Sequence, residues 1–304
     1  MFNRWLGRAV TFAATALVPS SSYGQACCAG PSAITPGRLS LHEDALVGLQ
    51  VRAATVTGSF DDAHAYAASP PGASELDFEE DAYGAIRVWK RAQLAVIVPV
   101  LETRRHLTGV TEVGGGIGDV NASARYDFTL AGTSRYWPGV AAFAGLTLPT
   151  GTPPDRARRP LATDATGTGA LQATVGLGLE QTYGPWVLDA NAILAFRAAR
   201  SALGVDEQLA PQLVAMIATA YAFEQGAAVA LSLSFATEGD ATLQGVTATG
   251  TGRQATTLSL SGLLPLGDTW RLQGSIYADP PLAPLGQNLP ALIGITFGWV
   301  RSWS

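Results

Sequence analysis

Alternation of apolar and polar residues with a period of two runs through most of this 304-residue chain. In the clearest stretch, Val120 and Tyr126 fall on an apolar face, while Asn121, Arg125 and Asp127 fall on the other. A period of two places successive side chains on opposite faces of a β-strand. The sequence therefore predicts strands with one face suited to lipid or a core and the other suited to water.

The same alternation predicts about twelve strands after residue 43. Most of them are longer than the usual ~5–6 residues and match the ~9–11 residues with which a tilted strand crosses a bilayer. The predicted strands are 44–57, 74–89, 92–103, 118–130, 138–149, 168–183, 186–197, 210–224, 227–238, 253–265, 269–279 and 290–303.

The connections alternate between short and long. After even-numbered predicted strands they are as brief as 90–91 or 184–185, whereas after odd-numbered strands they are as long as 58–73 or 150–167. This arrangement is typical of outer-membrane barrels, which have short periplasmic turns and long external loops. The predicted fold is an all-β, transmembrane antiparallel barrel of about twelve strands, with both termini in the periplasm of a Gram-negative bacterium.

Composition narrows the alternatives. Apolar residues make up 47% of the chain and charged residues 14%, against about 25% charged in soluble proteins. A charged fraction this low is too small to cover the exterior of a large soluble β-sandwich. No mature segment approaches the ~20 apolar residues of a membrane helix, and a net charge of −5 argues against nucleic acid as a partner.

The N-terminus has the order of a secretory signal peptide. Arg4 and Arg8 precede an apolar stretch, and Gly24 to Ala26 form a small-residue cleavage site. We expect a signal peptide over 1–26, a periplasmic segment over 27–43 and the barrel over 44–304. The two cysteines, Cys27 and Cys28, are adjacent and offer no disulfide framework. Lipidation of Cys27 is the alternative, although Gly24 stands where that pattern has Leu.

Several charged residues fall on the polar, predicted inner face. A ladder of Asp77, Glu79 and Asp81 could bind cations or set a field in a pore. Alternatively it pairs with Arg52, Arg87 or Arg125, because charges enclosed in a barrel need partners. The lumen-lining candidates are Arg52, Asp77, Glu79, Asp81, Arg87, Arg125, Asp127, Glu180, Asp189 and Arg271.

Catalytic and cofactor patterns do not emerge from the sequence. His42, His64 and His106 fall in predicted loops or before the barrel, without ligand-spaced partners. A G-x-G-x-x-A match at 250–255 precedes a predicted strand rather than the helix that dinucleotide binding requires. We therefore predict no catalytic residues, no metal site and no cofactor.

Three short motifs carry a family resemblance. They are the strand start Gly118-Asp119-Val120, the strand end Pro149-Thr150-Gly151, and Val98-Pro99-Val100. With the overall layout, they resemble the family of outer-membrane barrels assigned to transport in the phenol meta-cleavage pathway. The resemblance implies a barrel that takes up small organic molecules. Such barrels usually end on Phe or Trp; here Trp303 is followed by Ser304, so the signal for the barrel-assembly machinery is shifted by one residue.

About twelve strands give a backbone radius of roughly 12 Å and a lumen of about 10 Å or less. We therefore expect a channel for passive uptake of small organic molecules, including apolar or aromatic ones. Its partners would be outer-membrane lipid, lipopolysaccharide, the solute and the assembly machinery. Two alternatives remain: an outer-membrane barrel enzyme resembling a phospholipase, which needs Ser and His on strands at the outer rim, and a closed structural barrel.

Overall fold

The structure, a computed structural model, describes residues 38–40, 42–107 and 109–304. The predicted signal peptide and Cys27 lie outside the described residues. Among the described residues no helix is long and apolar enough to span a membrane.

Twelve long strands form one antiparallel sheet in which each strand pairs with its neighbours in sequence. The last strand also pairs with the first, from Ala45↔Trp303 to Ser59↔Pro290, and this pairing closes the sheet into a barrel. The strands are β1 (Ala45–Phe60), β2 (Ser74–Trp89), β3 (Ala92–Leu107), β4 (Val120–Thr129), β5 (Gly139–Leu148), β6 (Gln172–Tyr183), β7 (Trp186–Arg197), β8 (Gln212–Ala222), β9 (Ala228–Glu238), β10 (Arg253–Leu266), β11 (Trp270–Ala278) and β12 (Pro290–Trp303).

The predicted fold class is confirmed, and the twelve predicted strands correspond one to one with β1–β12. The differences lie at strand ends. β1 extends to Phe60 and β3 to Leu107, whereas β6 begins at Gln172 rather than at residue 168. The prediction that all three histidines lie outside strands is wrong for His106, which lies in β3. Polar residues at that end had hidden the continuation of the strand.

The two faces of the sheet differ as the alternation predicts. On β6, Val175, Leu177 and Leu179 are 49%, 59% and 46% exposed, while the glycines and polar residues between them face inward. Closing a sheet in this way turns its apolar face outward, the reverse of a soluble protein. On β3 the outward apolar row runs from Leu94 to Val100 and is followed by exposed Glu102 and Arg104. The apolar belt therefore ends before the strand does.

The two ends of the barrel are built differently. At the short-turn end, connections such as 90–91 and 184–185 contain two residues. The long-loop end carries additional strands that the sequence presented as loops. Val110–Ile117 extends along β3, and Tyr66–Ala68 folds back on β1. A separate four-stranded sheet is formed by Arg200–Ala202, Val205–Gln208, Thr242–Leu243 and Val246–Thr247.

Candidate functional site: the barrel lumen

The lumen has two unlike walls. On β2, acidic side chains and Tyr83 project inward, and Glu79, Asp81 and Tyr83 are buried. Strands β8–β10 lie on the opposite side of a twelve-stranded barrel. Most of their inward side chains are small, although Met216 of β8 also projects inward and Gln212 and Glu238 lie at the long-loop end. The small ones are Ala218, Ala220, Ala230, Ser232, Ser234, Ala236, Ser259 and Ser261. Small side chains occupy less of the lumen than the acids and Tyr83 of β2.

The acidic ladder of β2 is partly paired. Glu79 forms an ion pair with Arg52 of β1. Asp77 accepts a hydrogen bond of 2.8 Å from the hydroxyl of Thr103, and Asp81 accepts one of 3.4 Å from the amide of Gln50. The ladder therefore carries more negative charge than the single arginine balances. Neither Arg87 nor Arg125 is the direct partner of the ladder.

A further ion pair lies on the long-loop side of the acidic ladder. Arg105 Nη2 donates to Glu75 Oε1 at 2.9 Å, and Nη1 donates to the carbonyl oxygen of Leu161 at 2.6 Å. Neither charged residue was among the candidates predicted from the sequence. Glu75 continues the period of two that places Asp77 inward, and Arg105 lies beyond residue 103, where the predicted strand ends.

The described residues 38–40 and 42–44 (the segment Arg38–Asp44) lie across the short-turn end of the lumen. Arg38 pairs at 2.5 Å with Glu180 of β6, and the N–H of Leu39, which is 5% exposed, donates to Gln93 of β3. The predicted periplasmic segment 27–43 thus has its described end inside the barrel. Its polar groups meet charged residues from several walls.

Two inward arginines anchor this segment. Arg87 donates to the carbonyl oxygens of Ser40 at 2.6 Å and of Glu43 at 2.9 Å. Arg271 of β11 forms an ion pair with the carboxylate of Glu43. Burial acts to raise the pKa of Glu43, but the N–H of Ser40 and the Arg271 charge hold it below its ordinary value. Arg38, Arg87 and Arg271 together hold the segment against three parts of the wall.

The remaining candidates also lie on the inner face toward the short-turn end, because Arg125 is opposite Gln93 and Asp189 is opposite Glu180, the partner of Arg38. Arg125 pairs within β4 with Asp127 at 2.8 Å, and Asp189 of β7 accepts a hydrogen bond from Asn191. The side chains of Arg125 and Asp127 are 12% and 17% exposed. In both cases the two partners belong to the same strand. Arg125 is therefore not the partner that balances the acids of β2.

A buried network that was likewise not predicted from the sequence ties β6 to β9. Arg197 pairs with Glu238 at 2.5 Å, and both side chains are almost fully buried at 3% and 4% exposed. The other guanidinium nitrogens of Arg197 donate hydrogen bonds to the side chains of Gln172 and Gln212. Arg197 continues the inward period of Asp189 at the end of β7, so the alternation in the sequence is the signal that could have identified it.

A cavity of about 120 Å³ opens at the long-loop end. It lies between the fold-back Tyr66–Ala68 and the upper parts of β2 and β3. Phe60 and Leu289 form an apolar side, and Glu75, Asp77 and Arg105 form a charged side. The three charged residues project inward from β2 and β3, so the cavity is continuous with the charged wall of the lumen.

The histidines and acids form no metal centre in the described part of the chain, where no group of three or more His, Cys, Asp or Glu side chains could hold an ion. The ring of His106 hydrogen-bonds the hydroxyl of Thr111 at 2.7 Å, and that of His64 contacts the carbonyl oxygen of Gly286. On the register of β2 and β3, His106 lies opposite Ser74 at the rim. Its ring is therefore oriented by a hydroxyl group rather than by a carboxylate.

A closed antiparallel barrel of twelve strands, apolar outside and polar inside, defines an outer-membrane β-barrel protein. Within that class, the model of one family, described as "Putative MetA-pathway of phenol degradation", matches residues 57–279. This chain belongs to that family, and the resemblance seen in the sequence is confirmed.

A solved outer-membrane channel shows the same fold. The COG4313 outer membrane channel from Pseudomonas putida F1 is 14% identical, with a TM-score of 0.71 over 88% of this chain and 98% of that one. The translocator domain of the autotransporter NalP from Neisseria meningitidis is 11% identical, with a TM-score of 0.49 over 86% and 88%. The second score is too low to support an argument. No curated protein sequence matches the chain.

Proposed function

We propose that this protein is a narrow outer-membrane channel for the passive entry of small organic molecules. The observation that carries the proposal is the two-sided lumen, in which the acids of β2 face small Ala and Ser side chains on β8–β10. A lumen filled from all sides by large paired charges would leave no path. Here the acidic ladder lies on one wall, and most of the inward side chains of β8–β10 on the opposite wall are small.

The size of the barrel supports small solutes. General porins of 16–18 strands enclose a wide aqueous channel, whereas smaller barrels have interiors that side chains largely fill. Twelve strands lie between these limits. Membership of a family described by phenol degradation supports organic, aromatic solutes, and the similar fold of the Pseudomonas putida outer membrane channel supports a channel.

We propose that the short-turn end faces the periplasm and the long-loop end faces outward. The division between short turns and long, structured loops supports this orientation. It places β12, with Trp303 near its end, where the barrel-assembly machinery would engage it. The outward Glu102 and Arg104 would then lie at the level of lipopolysaccharide headgroups, beyond the apolar belt. We further infer that the protein is not an enzyme: within the described residues, the ring of His106 is oriented by the hydroxyl of Thr111 rather than by the carboxylate that would prepare it as a base.

A closed structural barrel is the second candidate, and the segment Arg38–Asp44 favours it. That segment crosses the short-turn end, with Leu39 buried and Arg38 paired with Glu180. If it never moves, the lumen has no exit. The two candidates therefore differ in whether this segment can be displaced.

Reconstitution distinguishes them. We expect the purified protein in a planar bilayer to show small conductance steps, and liposomes containing it to swell in arabinose but not in raffinose. A matched protein lacking residues 38–43 should conduct more. Silence of both proteins, despite correct folding by circular dichroism and heat-modified gel mobility, would contradict the channel and support the closed barrel.

A further inference from the structure

We propose that the cavity at the long-loop end is an entry site for a small amphipathic molecule, such as a single ring, that carries a neutral hydrogen-bond donor. We propose too that this site rejects carboxylates. The inference rests on the proposed channel function and names the class of solute that the channel selects. It follows from the shape of the cavity, the charge of its polar wall and the acids that lie below it.

The size of the cavity suits one ring. Its volume is about 120 Å³, close to that of an engineered cavity of about 150 Å³ that binds benzene. Phe60 and Leu289, 4% and 6% exposed, form the floor of the apolar side. Val56 and Pro290 complete that side. A ring placed there would bury its own apolar surface against these side chains, which is favourable.

The charged side of the cavity, opposite Phe60 and Leu289, determines which ligand charge the site accepts. Glu75 and Arg105 pair at 2.9 Å and largely neutralise each other. Asp77 is also part of this wall, and one of its carboxylate oxygens accepts a hydrogen bond from the neutral hydroxyl of Thr103. The wall therefore keeps a net negative charge and a carboxylate that accepts hydrogen bonds. A hydroxyl group can donate to it, whereas an anion is repelled.

The acidic ladder provides further hydrogen-bond acceptors along the lumen, from Asp77 toward the short-turn end. Glu79 and Asp81 follow Asp77 at every second position of β2, and inward positions on one strand are about 7 Å apart. Arg52 pairs with Glu79, and Gln50 donates to Asp81. A solute with a donor can therefore exchange one acceptor for the next, while its apolar part passes the Ala and Ser side chains of the opposite wall.

A matched pair of ligands tests the charge rule. 4-Fluorobenzyl alcohol and 4-fluorobenzoate share a ring and differ in the polar group. Their binding to the full protein in nanodiscs is measured by ¹⁹F NMR line width, with empty nanodiscs as the background. We expect the alcohol to bind at least about tenfold more tightly than benzoate, a difference of ~1.4 kcal/mol. Equal affinities in the wild type would overturn the proposal.

Two variants locate the site. Asp77→Asn keeps the shape and removes the charge, so the preference for the alcohol over benzoate should fall toward unity. Ala67→Phe, at an exposed position of the fold-back, should fill the cavity and abolish binding of both ligands. Asp189→Asn, near the other end of the lumen, is the control and should change neither. Undiminished binding in Ala67→Phe would place the ligands elsewhere and refute the site.

Failure of this proposal is distinguishable from failure of the channel function. Conductance without selective binding of the alcohol would refute the entry site and leave the channel intact. Selective binding without conductance, in the wild type and in the protein lacking residues 38–43, would refute the channel and leave a binding site at the mouth of a closed barrel.

Discussion

Close contacts between aromatic rings and glycines fix the inner surface at individual residues. Gly48 is the cross-strand partner of Tyr83, and Gly294 is the partner of Tyr277. A Cβ atom built on Gly48 would lie 2.3 Å from the Tyr83 ring, and one on Gly294 would lie 2.5 Å from the Tyr277 ring. Each ring thus lies over a position where only glycine fits.

We therefore expect Gly48→Ala to displace the ring of Tyr83 and to destabilise the barrel by about 1–3 kcal/mol, the usual cost of overpacking. Gly84→Ala is the control, because a Cβ there would meet its nearest atom at an ordinary 3.4 Å. Urea unfolding of the refolded protein in lipid vesicles measures both. Equal losses in the two variants would show that the contact of the ring is unimportant.

The facing of single residues gives a second prediction. Val175 is 49% exposed on the outer face, and its neighbour Thr174 faces inward. Val175→Arg should cost about 2–4 kcal/mol if it lies near the middle of the bilayer. Thr174→Arg should be tolerated better, because its charge can reach water in the lumen. Folding yield and stability in vesicles of both variants are compared, and similar damage from both would show the register to be wrong.

Among the elements, the segment Arg38–Asp44 is the one that most affects the lumen. Its anchors come from Glu180 of β6, Gln93 of β3 and Arg271 of β11. These strands lie far apart around the barrel, so the segment links walls that the sheet itself does not join directly. Loosening one anchor should free the end of the segment without opening the sheet.

Charge reversal tests the anchor at Glu180. Arg38→Glu places two carboxylates together, so we expect larger or more frequent conductance steps than in the wild type. Adding Glu180→Arg restores an opposite-charge pair and should return conductance toward the wild-type value. Single-channel recording provides the measurement. If the single and double variants conduct alike, the pair does not hold the segment in place.

The buried pair Arg197–Glu238 is expected to stabilise the long-loop halves of β7–β9. Removing one partner of a buried pair leaves an uncompensated charge and costs about 3–5 kcal/mol. Glu238→Gln should therefore destabilise strongly. Glu207→Gln is the matched control, because its partner Arg200 is less buried and also pairs with Asp155. The measurement is the midpoint of urea unfolding. Equal shifts of this midpoint in the two variants would contradict the prediction.

For the whole molecule, the orientation in the membrane follows from the two unlike ends. We expect a cysteine introduced at Asp155, in the long connection between β5 and β6, to react with an impermeant maleimide on intact cells. A cysteine at Gln225, in the turn between β8 and β9, should react only after the outer membrane is permeabilised. Unmodified wild-type cells correct for Cys27 and Cys28. Labelling of Gln225→Cys alone on intact cells would reverse the orientation.

The closed barrel also separates two kinds of selectivity. In the proposed channel, the Ala and Ser side chains of β8–β10 would set the free width, whereas the charged wall of β1–β3 would set the preference for charge. Because these walls belong to different strands, width and charge selectivity should respond to different substitutions.

The sequence by itself determined the strands, their two faces and the end of the barrel at which each connection lies. These properties are local, because a period of two fixes the facing and turn residues fix the hairpins. It also placed Asp77, Glu79 and Asp81 on one face. The sequence predicts a shorter β3 than the structure has and predicts loops where the additional strands lie at the long-loop end. The reason is that the polar residues beyond the apolar belt resemble those of loops.

Only the tertiary structure decided which charges meet. Glu180 and Arg38 are separated by most of the first half of the chain, and Arg197 and Glu238 are separated by 41 residues. Closure of the sheet brings such groups together, and the register in which β12 pairs with β1 cannot be inferred from spacing. Alternation gives the side of the sheet on which a charge lies. Its partner depends on how strands distant in sequence are arranged around the closed barrel.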